Sequence, residues 1–140
     1  MMPDAGAAQA TDLYAERKID SRPTVLVAED DELVRAVTVE NLRDAGYEIL
    51  DAANGREALA VLETFLIDVL ITDIGLPGAI DGWKIAETFR SRYAHQPVIY
   101  ISGLPTTRER QVPNSIFVEK PFQPARVLRL LHDLTPAGHA

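Results

Sequence analysis

Four apolar runs in this chain end in side chains that could do chemistry together. Thr24–Ala28 (TVLVA) runs into Glu29-Asp30-Asp31-Glu32, and Asp68–Asp73 (DVLITD) finishes on a carboxylate. Pro97–Ser102 (PVIYIS) finishes on a hydroxyl, and Ile116–Val118 leads into Lys120-Pro121. Carboxylates sharing a small site repel one another unless a cation compensates. Hard oxygen donors with no cysteine or nearby histidine select Mg2+, or Mn2+, over zinc. A carboxylate at the end of a buried run is also a nucleophile toward a phosphoryl group. Asp73 is the candidate nucleophile. Lys120 would pair with it at rest and with phosphoryl oxygens afterwards, and Ser102 can donate a hydrogen bond to the same group. A dianionic group placed there is a local charge change large enough to reposition nearby loops.

These residues meet only if the runs are neighbouring strands whose carboxyl ends share one edge. The spacing predicts that. Thr24–Ala28 is continuous and β-branched, as in a strand buried on both faces. Glu32–Ala45 carries Leu33, Val34, Val37, Leu42 and Ala45 as an apolar stripe, with Gly46 as a helix stop. Glu48–Ala52 is a short second strand, and Asn54 caps a helix bearing Ala58, Leu59, Val61, Leu62 and Phe65. Asp68–Asp73 is the third strand. The Gly/Pro-rich loop Ile74–Gly82 leads to a helix with Trp83, Ala86 and Phe89 on its apolar face. Pro97–Ser102 and Ile116–Val118 are the fourth and fifth strands, and Pro124–Leu134 closes with Val127, Leu128, Leu131 and Leu134. Alternating β and α at this spacing means a parallel α/β sheet, doubly wound, with right-handed crossovers. In such sheets ligands bind beyond the carboxyl ends of the strands, at the topological switch point. The segment between Ser102 and Ile116 holds Pro105 and Pro113 and has barely two polar turns, so a fourth crossover helix is short, frayed or absent. Arg108 and Arg110 are expected to solvate that segment.

Composition narrows the function further. Of 140 residues, 46% are apolar, enough for one core and against wholesale disorder. With 14 basic against 21 acidic residues the formal charge is −7, which argues against neutralising many phosphates and hence against direct DNA binding. No cysteine is present, which removes disulfides and thiolate chemistry. No apolar run approaches the ~20 residues of a membrane span, and no secretory signal pattern opens the chain. The expectation is a cytoplasmic protein: residues 1–22 as a tail with one short helical pattern (Thr11–Ile19), one domain over 23–135, and a short tail at 136–140. The three histidines, His95, His132 and His139, share no ligand spacing.

VLVAEDDELVR, ITDIGLPGAIDGW, YISG and FVEKPF, in that order over residues 23–134, resemble a response-regulator receiver domain of two-component signalling, similar in fold to the chemotaxis response regulator. The resemblance implies a flavodoxin-like five-stranded sheet of order 2-1-3-4-5. It implies that Asp73 takes a phosphoryl group from the phosphohistidine of a sensor histidine kinase or a phosphotransfer protein. It implies that Glu29, Asp30, Asp73 and the backbone carbonyl of Gly75 hold Mg2+. Ser102 and Lys120 take the hydroxyl and lysine roles, Phe117 matches the aromatic switch position, and Lys120–Pro121 is the cis candidate. The output implied is a change in contacts with a downstream protein, and there is room for a homodimer.

Three departures accompany it. The Asp73-to-Asp81-Gly82 loop is one residue longer than the commonest pattern, Gly75 offers no side chain two positions beyond the acceptor, and the Ser102-to-Lys120 interval is short. Phe117 is also readable as a plain packed aromatic, and Trp83 as packing or partner surface. Other classes fit less well. A haloacid-dehalogenase-type phosphatase needs a second Asp where Gly75 stands. A flavin-binding relative needs a Ser/Thr-rich loop where EDDE stands. A receiver that only binds, without being phosphorylated, is separated by its response to Mg2+. The length leaves no room for a DNA-binding effector, so a stand-alone receiver that turns over only its own acyl phosphate is expected, not an enzyme in the ordinary sense.

Overall fold

A computed structural model describes residues 22–103 and 107–135. The readings for Thr11–Ile19 and for the last five residues lie outside them. Five strands alternate with four helices: β1 (Thr24–Ala28), α1 (Glu32–Asp44), β2 (Glu48–Ala52), α2 (Gly55–Thr64), β3 (Val69–Asp73), α3 (Gly82–Arg92), β4 (Val98–Ser102), β5 (Ser115–Glu119) and α4 (Pro124–Leu134). The strands form one parallel sheet in the order β2-β1-β3-β4-β5. This is the doubly wound arrangement that the alternation of elements predicts.

The two faces of the sheet are separate apolar layers, as the two-residue side-chain period requires. Val25, Val27, Val69, Ile71, Ile99, Ile101 and Val118 pack under α1 and α4, against Val39, Leu42, Val127 and Leu131. Leu26, Ala28, Leu70, Val98 and Tyr100 face α2 and α3, against Ala58, Leu62, Ile85, Ala86 and Phe89. Every residue of β1 and β3 is buried, as expected of central strands. The helices begin on side-chain caps: Asp31 accepts from the Val34 N–H, Asn54 from Glu57 and Asp81 from Lys84. Gly46, at φ +103°, follows the end of α1, a backbone angle that favours glycine.

Four apolar expectations fail, one of them at Ala45, which is exposed just past the end of α1. Leu33 and Val37 are 72% and 41% exposed, and Phe65 is 44% exposed. The buried positions of α1 are Thr38, Val39 and Leu42, and stepping back one turn from Thr38 on that face reaches Arg35, which is half-buried. The core stripe thus begins on an arginine, and Leu33 and Val37 turn toward the side. Phe65 lies outside the helix because α2 ends at Thr64, leaving Phe65 as an extended C-cap.

The link from β4 to β5 contains no helix among its described residues, 103 and 107–114. A strap covers the sheet instead. The buried side chain of Val112 joins the α2/α3 layer, and its N–H donates to the Tyr100 hydroxyl at 3.1 Å. Arg90 of α3 donates to the carbonyls of Tyr93, Gln96, Pro113 and Asn114. Arg108 and Arg110 do more than solvate this segment. The Arg108 guanidinium lies 4.0 Å from the Phe117 ring centroid. Arg110 grips Glu87 with two 3.0 Å bonds and approaches Asp81 at 3.6 Å. Phe117 of β5, Glu87 of α3 and Asp81, the N-cap of α3, supply the partners these cations find.

Candidate functional site

The parallel register delivers the carboxyl ends of four strands to one edge. Glu29 follows β1 directly, and its N–H extends the ladder to the Ala52 carbonyl at 3.0 Å. Asp73 is the last residue of β3 and pairs with Ile101, so Ser102 stands one residue further along the neighbouring strand. The Lys120 N–H donates to the Ser102 carbonyl at 2.8 Å, which fixes the start of the next segment beside β4. The Lys120–Pro121 peptide is cis, as the motif suggested.

From there the Lys120 ammonium reaches two carboxylates at once, Asp73 Oδ2 at 2.7 Å and Glu29 Oε1 at 3.0 Å. Asp73 and Glu29 are buried, with side chains only 11% and 6% exposed. The other oxygens are also held. Glu29 Oε2 accepts the Asp31 N–H at 3.1 Å, and Asp73 Oδ1 accepts the Gly75 N–H at 3.0 Å. Asp30 is exposed at the rim. Glu29, Asp30 and Asp73 each offer a carboxylate oxygen, and these lie within 4.8 Å of one another. The donor set is oxygen only, three formal negative charges against one lysine, which fits a hard divalent cation.

The electrostatics follow from burial and crowding. Burial pushes the Glu29 carboxyl above its ordinary value, and the Asp73 charge adds to this against the Asp31 N–H and the Lys120 ammonium. Burial alone would push Lys120 down, but its hydrogen bonds to Asp73 and Glu29 outweigh that and raise it.

Of the residues singled out by sequence, Glu29, Asp30, Asp73 and Lys120 converge directly. Ser102 is half-buried at the same edge, and Gly75 touches Asp73 through its N–H. Phe117 lies on the α2/α3 face, stacked on Tyr100 at 4.9 Å and tilted against Trp83 at 5.9 Å. Trp83 is buried packing in that cluster. The close approach of α3 to the site requires Gly82, because a Cβ there would strike the Asp73 carbonyl oxygen and the Ile74 Cα.

A family model for the response regulator receiver domain matches residues 25–132. The chain belongs to this family. Among solved structures, a response regulator receiver protein from Sinorhizobium medicae matches this receiver with a TM-score of 0.79 at 30% identity, over 84% of this chain and 98% of that one. The chemotaxis protein CheY4 of Vibrio cholerae matches at 0.74 and 30% identity, over 82% and 100%. An NtrX-like response regulator of Rickettsia felis is 38% identical over 118 residues, 79% of this chain and 24% of that protein. The receiver thus spans about a quarter of that relative's length. No helix among the described residues is long and apolar enough to cross a membrane.

Two contributors to the receiver's site escaped the sequence reading. Asp31 is the N-cap of α1, and its N–H orients Glu29. Arg35 donates to the Glu29 carbonyl at 2.7 Å. Its signal was present as a charged residue in the stripe of Thr38, Val39 and Leu42.

Proposed function

We propose that this receiver accepts a phosphoryl group on Asp73 from the phosphohistidine of a sensor histidine kinase or phosphotransfer protein. The carrying observation is the Lys120 ammonium, 2.7 Å from Asp73 and 3.0 Å from Glu29 at the strand edge. Glu29, Asp30, Asp73 and the Gly75 carbonyl would hold Mg2+, with Mn2+ as a substitute. When bound, the cation offsets the charge that builds up on the transferring group. An Asp73 oxygen attacks phosphorus, the P–N bond to the donor imidazole breaks, and a P–O bond forms. Lys120 then exchanges its carboxylate contact for the new phosphoryl oxygens, and Ser102 donates to them. Attack by water on the acyl phosphate restores Asp73. The turnover is thus the receiver's own, as befits a signalling domain rather than an ordinary enzyme.

Beside Lys120 lies an apolar groove lined by Leu33, Val34 and Val37 of α1 and by Phe122 and Pro124. Exposed Leu33 and Val37 supply the grip for an apolar donor surface that must bring its histidine to Asp73. On this reading the receiver works in the cytoplasm as a phosphorylation-driven switch. The dianionic group alters contacts with a downstream protein, through Ser102 and Phe117, and DNA is not a partner. The test is labelling by a small phosphodonor: one equivalent, dependent on Mg2+, and absent from Asp73→Asn. Labelling of Asp73→Asn at wild-type stoichiometry would overturn the assignment.

A further inference from the structure

The acidic loop after β1 is held from both sides of one residue, Glu29. Its N–H side is fixed by β2, through Glu29 N–H to the Ala52 carbonyl. Its carbonyl side is fixed by Arg35, whose Nη1 donates to the Glu29 oxygen at 2.7 Å. The Arg35 Nε meanwhile donates to Asp51 Oδ2 of β2 at 3.2 Å. Arg35 is well covered, with a side chain 17% exposed against 43% for Asp51. This guanidinium therefore ties the first turn of α1, the loop that carries Glu29 and Asp30, and the edge strand into one unit. A planar fork can serve two acceptors in fixed directions, which an ammonium on a flexible stem cannot.

We propose that Arg35 is a positioning residue for the divalent-cation site, clamping the Glu29 carbonyl against Asp51 so that Glu29 and Asp30 converge with Asp73. This rests on reading that cluster as the cation site. Arg35 acts there in two opposed ways. Its positive charge lowers the attraction of the cluster for a cation, so removing it would tighten binding. Its clamp fixes the donors, so removing it would weaken binding. Asp51 neutralises the charge within the clamp, which leaves positioning as the larger effect. Partners that orient metal ligands change affinity by about 10–100-fold when lost.

The experiment is calorimetric titration of the full chain with MgCl2, comparing wild type, Arg35→Lys, Arg35→Ala, Asp51→Asn and Asp30→Asn. Thermal unfolding in EDTA shows in parallel which variants are folded at the titration temperature. Arg35→Lys, which keeps charge and stem, is expected to weaken Mg2+ binding about tenfold. Arg35→Ala should weaken it at least as much, and Asp51→Asn less, because the bond to the Glu29 carbonyl survives. Arg35→Lys and Asp51→Asn both binding as wild type, or Arg35→Ala binding more tightly, overturns the clamp while the cation site stands. Wild type without Mg2+ binding, or an Asp30→Asn titration unchanged from wild type, overturns the cation-site reading itself and the clamp with it.

Discussion

Replacing Lys120 with methionine keeps an unbranched side chain, one atom shorter, and removes its charge. Two buried carboxylates, Glu29 and Asp73, then face each other without a counter-charge, their oxygens no more than 4.8 Å apart. At an effective dielectric constant of about 20, unit charges at that separation repel by roughly 3.5 kcal/mol. Removing one partner of a buried ion pair costs about 3–5 kcal/mol by mutation, which agrees. Lys120→Met in EDTA should therefore lose about 3 kcal/mol, a fall in Tm of about 12 °C for a domain of this size. A divalent cation offsets the same repulsion, so saturating MgCl2 should restore most of the loss and stabilise the variant more than the wild type. Acidity should act in the same direction. The Glu29 carboxyl is raised in the folded state. The native form thus holds this proton more tightly than the unfolded chain, and stability falls as pH rises through the folded value. In EDTA the variant should regain stability on acidification toward that range, by more than the wild type does. Thermal and urea unfolding with and without Mg2+, between pH 5 and 8, measure all three. An equal loss in EDTA and in Mg2+, or a variant in EDTA that gains stability as pH rises, would refute the reasoning.

Arg90→Ala removes donors from four carbonyls, those of Tyr93, Gln96, Pro113 and Asn114. It should cost about 2–3 kcal/mol in urea unfolding. Gly82→Ala forces a Cβ into the Asp73 carbonyl and the Ile74 backbone, whereas a Cβ at Gly75 meets nothing within 4 Å. The first should destabilise by about 2 kcal/mol or more. The second should unfold as wild type does, and thermal melts distinguish the pair. Leu33→Asp alters a side chain that is 72% exposed. Stability should stay within about 0.5 kcal/mol and labelling by a small phosphodonor should be unchanged, while transfer from a phosphorylated kinase, followed with radiolabel, should slow at least tenfold.

Much of this architecture was legible because strands and chemistry coincide. Each apolar run that ended in a reactive side chain became a strand ending at the same edge, and β3 and β4 differ from their expected ranges by one residue. The fifth strand extends one residue beyond its expected range at each end, to Ser115 and Glu119, because an edge strand tolerates polar ends. Legibility failed where residue type and burial part company. Leu33 and Val37 count as stripe residues by type, yet they face the groove, and Arg35 takes the inward position because the Glu29 carbonyl and Asp51 satisfy it. Arg108 and Arg110 sit in a segment without periodicity, so nothing local announces that Phe117, Glu87 and Asp81 await them from 9 to 29 residues away.

The strap between β4 and β5 has a consequence for how the domain opens. Its described residues are held mainly by side chains: Arg90 on carbonyls, Gln111 on Ser115, the Tyr100 hydroxyl on Val112. Such bonds break one at a time, whereas a helix or ladder yields as a cooperative unit. Hydrogen exchange should therefore grade the sheet, with amides of β1 and β3 exchanging last and those of residues 107–114 first. The soft border adjoins Ser102 and Lys120, so a perturbation at Asp73 meets, on that side, the part of the fold that costs least to rearrange.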